Sequence, residues 1–354
     1  MPSFASRARI RSPKTMTQSN LQRILEAACG AEQAAELMQL MNVSPALLNA
    51  DAQNATRAEV AQALNMVLFA GILERVPTGM AYTRDVIEAG GKVVFDHGAL
   101  RSVKWPSGAL PAGEIAFTRI LGPLGYRLNG EYPLDRIGMT GRSYAHADLP
   151  DDIAQYFLSE LHPERFSPAF QQAVTRVLSS SVDPLGPDAV AMLAVLERDG
   201  ALPLADAIRL VPQLAACFAR HHAAPSEADY ELLLAESAEM AWIATEGNAF
   251  NHATDRVADV NAVAEAQRRL GRPIKDTVEV SRSGRVLQTA FKADPVEREF
   301  VGENGIMVKR TVPGSFYEFI TRDFVPPANG APARLDLSFD AGNAQGIFKM
   351  TAAC

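Results

Sequence analysis

The sequence predicts an α+β protein: two βαβββ modules forming one curled mixed sheet around a cavity, with large helical additions. Three observations carry this. The motif F-[DN]-H-x-x-x-R occurs twice, at residues 95–101 and 250–256. After each copy come a helical stretch and then several β-prone stretches. Between the copies, residues 167–247 read as continuous helical text, so the shared grammar is interrupted by an insert.

The elements follow in chain order. Residues 1–15 are basic, Ser-rich and without acids, and are expected to be a disordered extension. Residues 16–90 form an N-terminal helical segment: "NLQRILEAACG" and "ATRAEVAQALNMVLFAGILERV" have i, i+3/i+4 apolar spacing, and Gly30 is the expected C-cap of the first. The first module spans 91–166. It opens with the strand text "GGKVVFDHGALRSVKW", continues through a helix in "GEIAFTRILGPLG", and then turns β-rich in "YRLNGEYPLD" and "IGMTGRSYAHAD". "AQYFLSELHPERF" fits a further strand or a short helix. The insert at 167–247 contains four helical stretches, each opening near Ser, Asp or Pro. The second module and the C-terminal segment span 248–354. Strand text resumes at "AFNHATDR", a helix follows in "VADVNAVAEAQRRLG", a hairpin turns at Ser283-Gly284, and "SFYEFITRDF" is the last strand.

Composition bounds the function. The chain has 354 residues, 47% of them apolar and 21% charged, enough for a sizeable core. Its net charge of −7 argues against a nucleic-acid footprint. The longest apolar runs are too short to span a bilayer. Cys29, Cys217 and Cys354 make neither a C-x-x-C site nor a disulfide framework, which fits a reducing, cytoplasmic location. No P-loop, nucleophile elbow or Rossmann fingerprint is present. Oligomeric state stays open.

The chemistry is expected at the repeated motif. Strand side chains alternate, so His97 and Arg101 share one face, as do His252 and Arg256. If both first strands curl around one cavity, His97 and His252 meet there. Two imidazoles and one carboxylate form a facial triad suited to non-haem Fe(II). Glu318 is the first choice for the carboxylate, because a buried Glu is costly without a cation. Glu160, in "YFLSELH", is its counterpart in the first module. Arg101 lies about 13 Å along the strand from His97, which leaves room for a short dicarboxylate clamped at its far end. Bland readings stand beside these: structural histidines, a rim Glu318, and Arg101 or Arg256 paired with Asp96 or Asp255. His146 and His162 are substitute ligands, and His221-His222 is expected to cap a helix C-terminus.

Together, "FDHGALR", "NAFNHATDR", "VPGSFYEFITRD" and "FDAGNAQGIF" resemble the 2-oxoadipate dioxygenase/decarboxylase (2-hydroxyglutarate synthase) family. The resemblance runs from about Gln18 to Met350. It implies a vicinal-oxygen-chelate-like core and Fe(II) held by His97, His252 and Glu318. It also implies substrate contact by Arg101, a 2-oxo acid and O2 as reactants, and a place in lysine catabolism. No role carries over to Arg256. The chain stops soon after "GIFKMTAAC", shorter than some members, which leaves the particular 2-oxo acid open. A glyoxalase-like lyase or isomerase, and a metal-free small-molecule binding protein, are the alternatives.

Overall fold

The computed structural model describes residues 18–50, 53–326 and 333–342. The extension expected at 1–15, Cys354 and the end of "FDAGNAQGIF" lie outside them.

Local signals set the N-terminal helices. Ser19 caps α1 (Asn20–Cys29) by accepting from the Gln22 amide, and Gly30 closes it at φ +87°. After α2 (Ala31–Leu40) and the short β1 (Asn54–Thr56), a reciprocal capping box between Thr56 and Glu59 starts α3 (Arg57–Arg75). Proline at its first position begins α4 (Pro77–Glu88). Among the described residues no single helix is long and apolar enough to cross a membrane.

The first βαβββ run is β2 (Phe95–Val103), α5 (Ile115–Leu121), β3 (Tyr126–Leu134), β4 (Met139–His146) and β5 (Gln155–Leu161). The insert holds α6 (Pro168–Leu178), α7 (Pro187–Asp199), β6 (Ala201–Pro203), α8 (Leu204–Ala216), α9 (Glu227–Glu236) and α10 (Ala238–Glu246). The second run is β7 (His252–Arg256), α11 (Val260–Arg269), β8 (Glu279–Val280), β9 (Val286–Ala290), β10 (Pro295–Val301), β11 (Met307–Pro313) and β12 (Phe316–Arg322). The short pair β13 (Phe324–Val325) and β14 (Arg334–Leu335) follows.

Eight strands form one sheet in the order β3-β4-β5-β2-β7-β12-β9-β8. The order is symmetric about its centre: β2-β5-β4-β3 on one side and β7-β12-β9-β8 on the other. In each half the first and last strands pair in parallel. The two first strands, β2 and β7, pair antiparallel and join the halves. This is the expected α+β architecture. One face is packed by α3 and α4, where Phe69 and Tyr82 meet Phe95, Tyr317 and Phe319. The other face encloses the cavity.

Four details differ from the sequence reading. "AQYFLSELHPERF" resolves to a strand, because all seven residues of β5 are buried between β2 and β4. The last helical stretch of the insert breaks in two at Ser237, which leaves helical geometry and caps α10 through the Met240 amide. α8 ends at Ala216, so His221 and His222 lie beyond it; His221 still reaches back to the carbonyl of the C-cap Cys217, whereas His222 turns to Ala244. The antiparallel ribbon β10–β11 has no counterpart in the first half. Charged residues fill the middle of both strands, and Phe300 and Val312 bury against the insert beside Tyr230 and Trp242.

Candidate metal centre

β2 and β7 bring the two histidines together. In their antiparallel register His97 faces Thr254 and Ala99 faces His252, so both rings rise from the same face. The ring centroids are 5.5 Å apart. β12 lies parallel to β7 with Glu318 beside Thr254. Glu318 Oε2 is 3.2 Å from His97 Nε2 and 3.3 Å from His252 Nε2. All three residues are buried, and their potential ligand atoms lie within 4.8 Å of one another.

The surroundings orient each ligand. A bulge between Phe95 and His97 shifts the register there and brings Asp96 beside the ring, so that the His97 Nδ1 lies 2.8 Å from Asp96 Oδ1. Arg322 grips the same carboxylate, with Nε and Nη2 both 2.9 Å from its oxygens. His252 Nδ1 has instead the Asn251 amide oxygen at 3.3 Å. Thr254 donates to Glu318 Oε2 at 2.6 Å. Glu318 Oε1 is buried without a hydrogen-bond partner among the described residues. A buried carboxylate with one oxygen bare and the other converging with two imidazole nitrogens fits a divalent cation.

The electrostatics are asymmetric. Burial disfavours a charged His97, yet its hydrogen bonds to Asp96 and Glu318 carry its pKa above the ordinary value. His252 lacks the carboxylate neighbour that Asp96 provides, and burial lowers its pKa despite Glu318. Burial opposes the charge on Glu318 and Asp96, but the imidazoles and Arg322 hold both well below the usual carboxylate range.

The triad lines a partly open cavity. Besides the triad, its wall includes Arg101, Phe157, Ser159, Asn251, Gln288 and Phe339. Arg101 is buried, with its guanidinium carbon 4.9 Å from the ring centroid of Trp242 on α10. Burial pulls its pKa down to about 10, opposed by Glu239, so it stays charged at neutral pH. A strap at 336–340 crosses the mouth. Tyr132 accepts from the Phe339 amide at one side, and Asp340 accepts from the Arg282 amide at the other. Phe339 lies edge-on to His97, with ring centroids 4.8 Å apart, and Arg322 donates to the strap carbonyls of Asp336 and Ser338.

The remaining candidates fall elsewhere. Glu160 pairs with Ser102 in the β2–β5 register, an odd step from Arg101, so it faces away from the cavity and binds Arg142. It is therefore not the counterpart of Glu318. Arg256 donates to the carbonyl of Asp151 outside the cavity. Asp96 is taken by Arg322, and Asp255 by Tyr82, so neither pairs with Arg101 or Arg256. His146 accepts from the Asp148 amide, and His162 sits 2.8 Å from Thr140 Oγ1. His222 donates to Ala244 O, and burial lowers its pKa to about 4. The sequence reading missed Thr254, Ser159, Arg322 and Phe339. Alternation from His252 points to Thr254, whereas nothing local marks the others.

Comparisons with known proteins agree with this architecture. A crystal structure of a glyoxalase-superfamily protein from Ralstonia eutropha JMP134 matches with 64% identity and a TM-score of 0.86, over 91% of this chain and 99% of that one. Hydroxyglutarate synthase from Oryza sativa, solved with 2-oxoadipate, matches with 20% identity and a TM-score of 0.64, over 84% of this chain and 93% of that one. The Pseudomonas putida hydroxyglutarate synthase, also solved with 2-oxoadipate, matches with 21% identity and a TM-score of 0.54, over 83% and 72%. At these low identities the two synthases share the fold. No curated protein sequence matches. The family model described as 2-oxoadipate dioxygenase/decarboxylase matches residues 54–331, all of the eight-stranded sheet and all of the insert, and the chain belongs to that family.

Proposed function

We propose that the protein is an Fe(II)-dependent dioxygenase/decarboxylase that converts a 2-oxo dicarboxylic acid, with 2-oxoadipate and O2 giving 2-hydroxyglutarate and CO2. The observation that carries this reading is the meeting of His97, His252, Glu318 and Arg101 at one cavity in a chain of this family. The two imidazoles and the carboxylate would hold the metal on one side and leave positions for small ligands. Bound there, the metal supplies Lewis acidity toward the 2-oxo acid and redox chemistry toward oxygen.

The chain's own residues do the rest. His97 donates its Nδ1 proton to Asp96, which leaves the Nε2 lone pair facing the triad. Thr254 donates to Oε2 of Glu318, the oxygen that converges with both imidazoles, and so orients the carboxylate. Arg101, stacked on Trp242, clamps the far carboxylate and sets the substrate's reach to the metal. Phe157 and Phe339 line the cavity with apolar surface and limit water around the reacting groups. A cytoplasmic role in lysine breakdown is the part of this reading that rests on resemblance alone.

Oxygen uptake across a panel of 2-oxo acids with added Fe(II) tests the proposal. Uptake is expected with 2-oxoadipate, matched by CO2 release, and is expected to vanish in a folded His97→Ala protein. Turnover that persists without oxygen would instead indicate a glyoxalase-like lyase or isomerase.

A further inference from the structure

We propose that Ser159 is a specificity-determining residue whose hydroxyl donates to the same substrate carboxylate that Arg101 clamps. Selection for a 2-oxo dicarboxylate would then be made by two groups on adjacent strands. The inference rests on the functional reading above.

Ser159 stands directly opposite Arg101 in the parallel β2–β5 register. Their Cα atoms are thus about one strand spacing apart, roughly 4.8 Å. Both side chains line the cavity, on the wall that also carries Phe157 and Ala99. Ser159 is only 2% exposed, and its hydroxyl makes no hydrogen bond to another described residue. A hydroxyl that faces a cavity without a protein partner is available to donate to an occupant of that cavity. The carboxylate beside Arg101 is such an occupant. A guanidinium saturates two of the roughly four acceptor sites of a carboxylate, which leaves sites for a hydroxyl donor.

The other half of the sheet supplies an internal control. The equivalent pair there is Arg256 and Ile320, in the same parallel register. That arginine leaves the cavity for the Asp151 carbonyl, and the residue beside it is apolar. The hydroxyl occurs in the half whose arginine lines the cavity.

The test compares Fe(II)-loaded wild type, Ser159→Ala and Ser159→Thr on 2-oxoadipate and on 2-oxohexanoate, which has the same carbon chain without the far carboxylate. For Ser159→Ala, the KM for 2-oxoadipate is expected to rise about 10- to 100-fold, the worth of one hydrogen bond to a charged group, with kcat little changed. The KM for 2-oxohexanoate should not move, and Ser159→Thr should restore most of the dicarboxylate affinity. Calorimetric titration under nitrogen should give the same ratio as Kd. An unchanged 2-oxoadipate KM in Ser159→Ala, or an equal rise for both substrates, overturns the role of Ser159 and leaves the functional reading standing. A wild-type protein that binds no 2-oxo dicarboxylate overturns that reading, and this inference with it.

Discussion

The two halves of the sheet share strand order, pairing directions and a motif, yet they contribute unequally to the site. Each supplies one histidine from its first strand. Along the parallel partner strands the equivalence ends. Thr254 faces Glu318 in the second half, whereas Ala99 faces Phe157 in the first. One half therefore brings a carboxylate to the triad, and the other brings an aromatic ring packed on Phe339 and Tyr132. Two strand positions further on, the contrast reverses: Arg101 and Ser159 line the cavity, while Arg256 turns outward beside Ile320. Repeating a fold duplicates positions, and single substitutions on the inward face then divide ligand binding from substrate binding between the halves.

The comparison can be broken from the metal side first. Glu318→Ala is expected to abolish stoichiometric metal uptake, measured by elemental analysis, and its cost should exceed the roughly 10–100-fold typical of losing an outer-shell partner. Retained stoichiometric metal would mean that the halves do not divide the labour in this way.

The D/N difference within the motif gives the next effect. Arg322→Ala removes the cation that holds Asp96 against His97. Metal affinity should fall about 10–100-fold. The protein should also lose stability, because breaking a buried ion pair leaves Asp96 uncompensated, a cost of about 3–5 kcal/mol. Asn251→Ala, beside the other histidine, removes no charge and should cost less in both measurements.

A third effect lies behind β7, where Asp255 accepts from Tyr82 and from the Val94 amide. Burial pushes this carboxyl up to about 6 from an ordinary 3.8. The folded state therefore holds its proton more tightly than the unfolded chain does. The associated stability is full below about pH 4 and is lost as pH rises through about 6, on the order of 3 kcal/mol by linkage. Asp255→Asn should flatten that part of the stability profile in denaturant titrations across pH. A slope unchanged by the substitution would refute the assignment.

The smallest effect is expected at Arg256. Its contact is a single hydrogen bond to a carbonyl outside the cavity, so Arg256→Ala should change stability by no more than about 1 kcal/mol. The KM for the 2-oxo acid should stay unchanged, in contrast to Arg101→Ala. Equal KM effects at the two arginines would restore a symmetric reading of the motif.

Much of the fold was legible because it depends on local pattern. The repeated motif, the β-prone runs and the cap at Gly30 report backbone preferences within a few residues. The β10–β11 ribbon was not, since its runs of charge read as surface until Phe300 and Val312 find the insert. The end of α8 was placed too late, since the helix stops before its apolar spacing does, and of the two histidines beyond it His221 alone reaches back to Cys217.

By itself, the sequence determined that two histidines would rise from like strands, and it singled out Glu318 as a glutamate in need of a partner. Strand alternation fixes which side chains share a face, and that follows from covalent geometry. Tertiary structure decided what no periodicity encodes: which strands become neighbours, and in which register. That register set Glu318 beside Thr254 and turned Glu160 to the opposite face. It also placed Ser159 beside Arg101 and drew Arg322 to Asp96 and Phe339 to His97 across the length of the module. A one-residue difference in pairing exchanges the two faces of a strand, so the identity of a carboxylate ligand is settled only when the sheet is assembled.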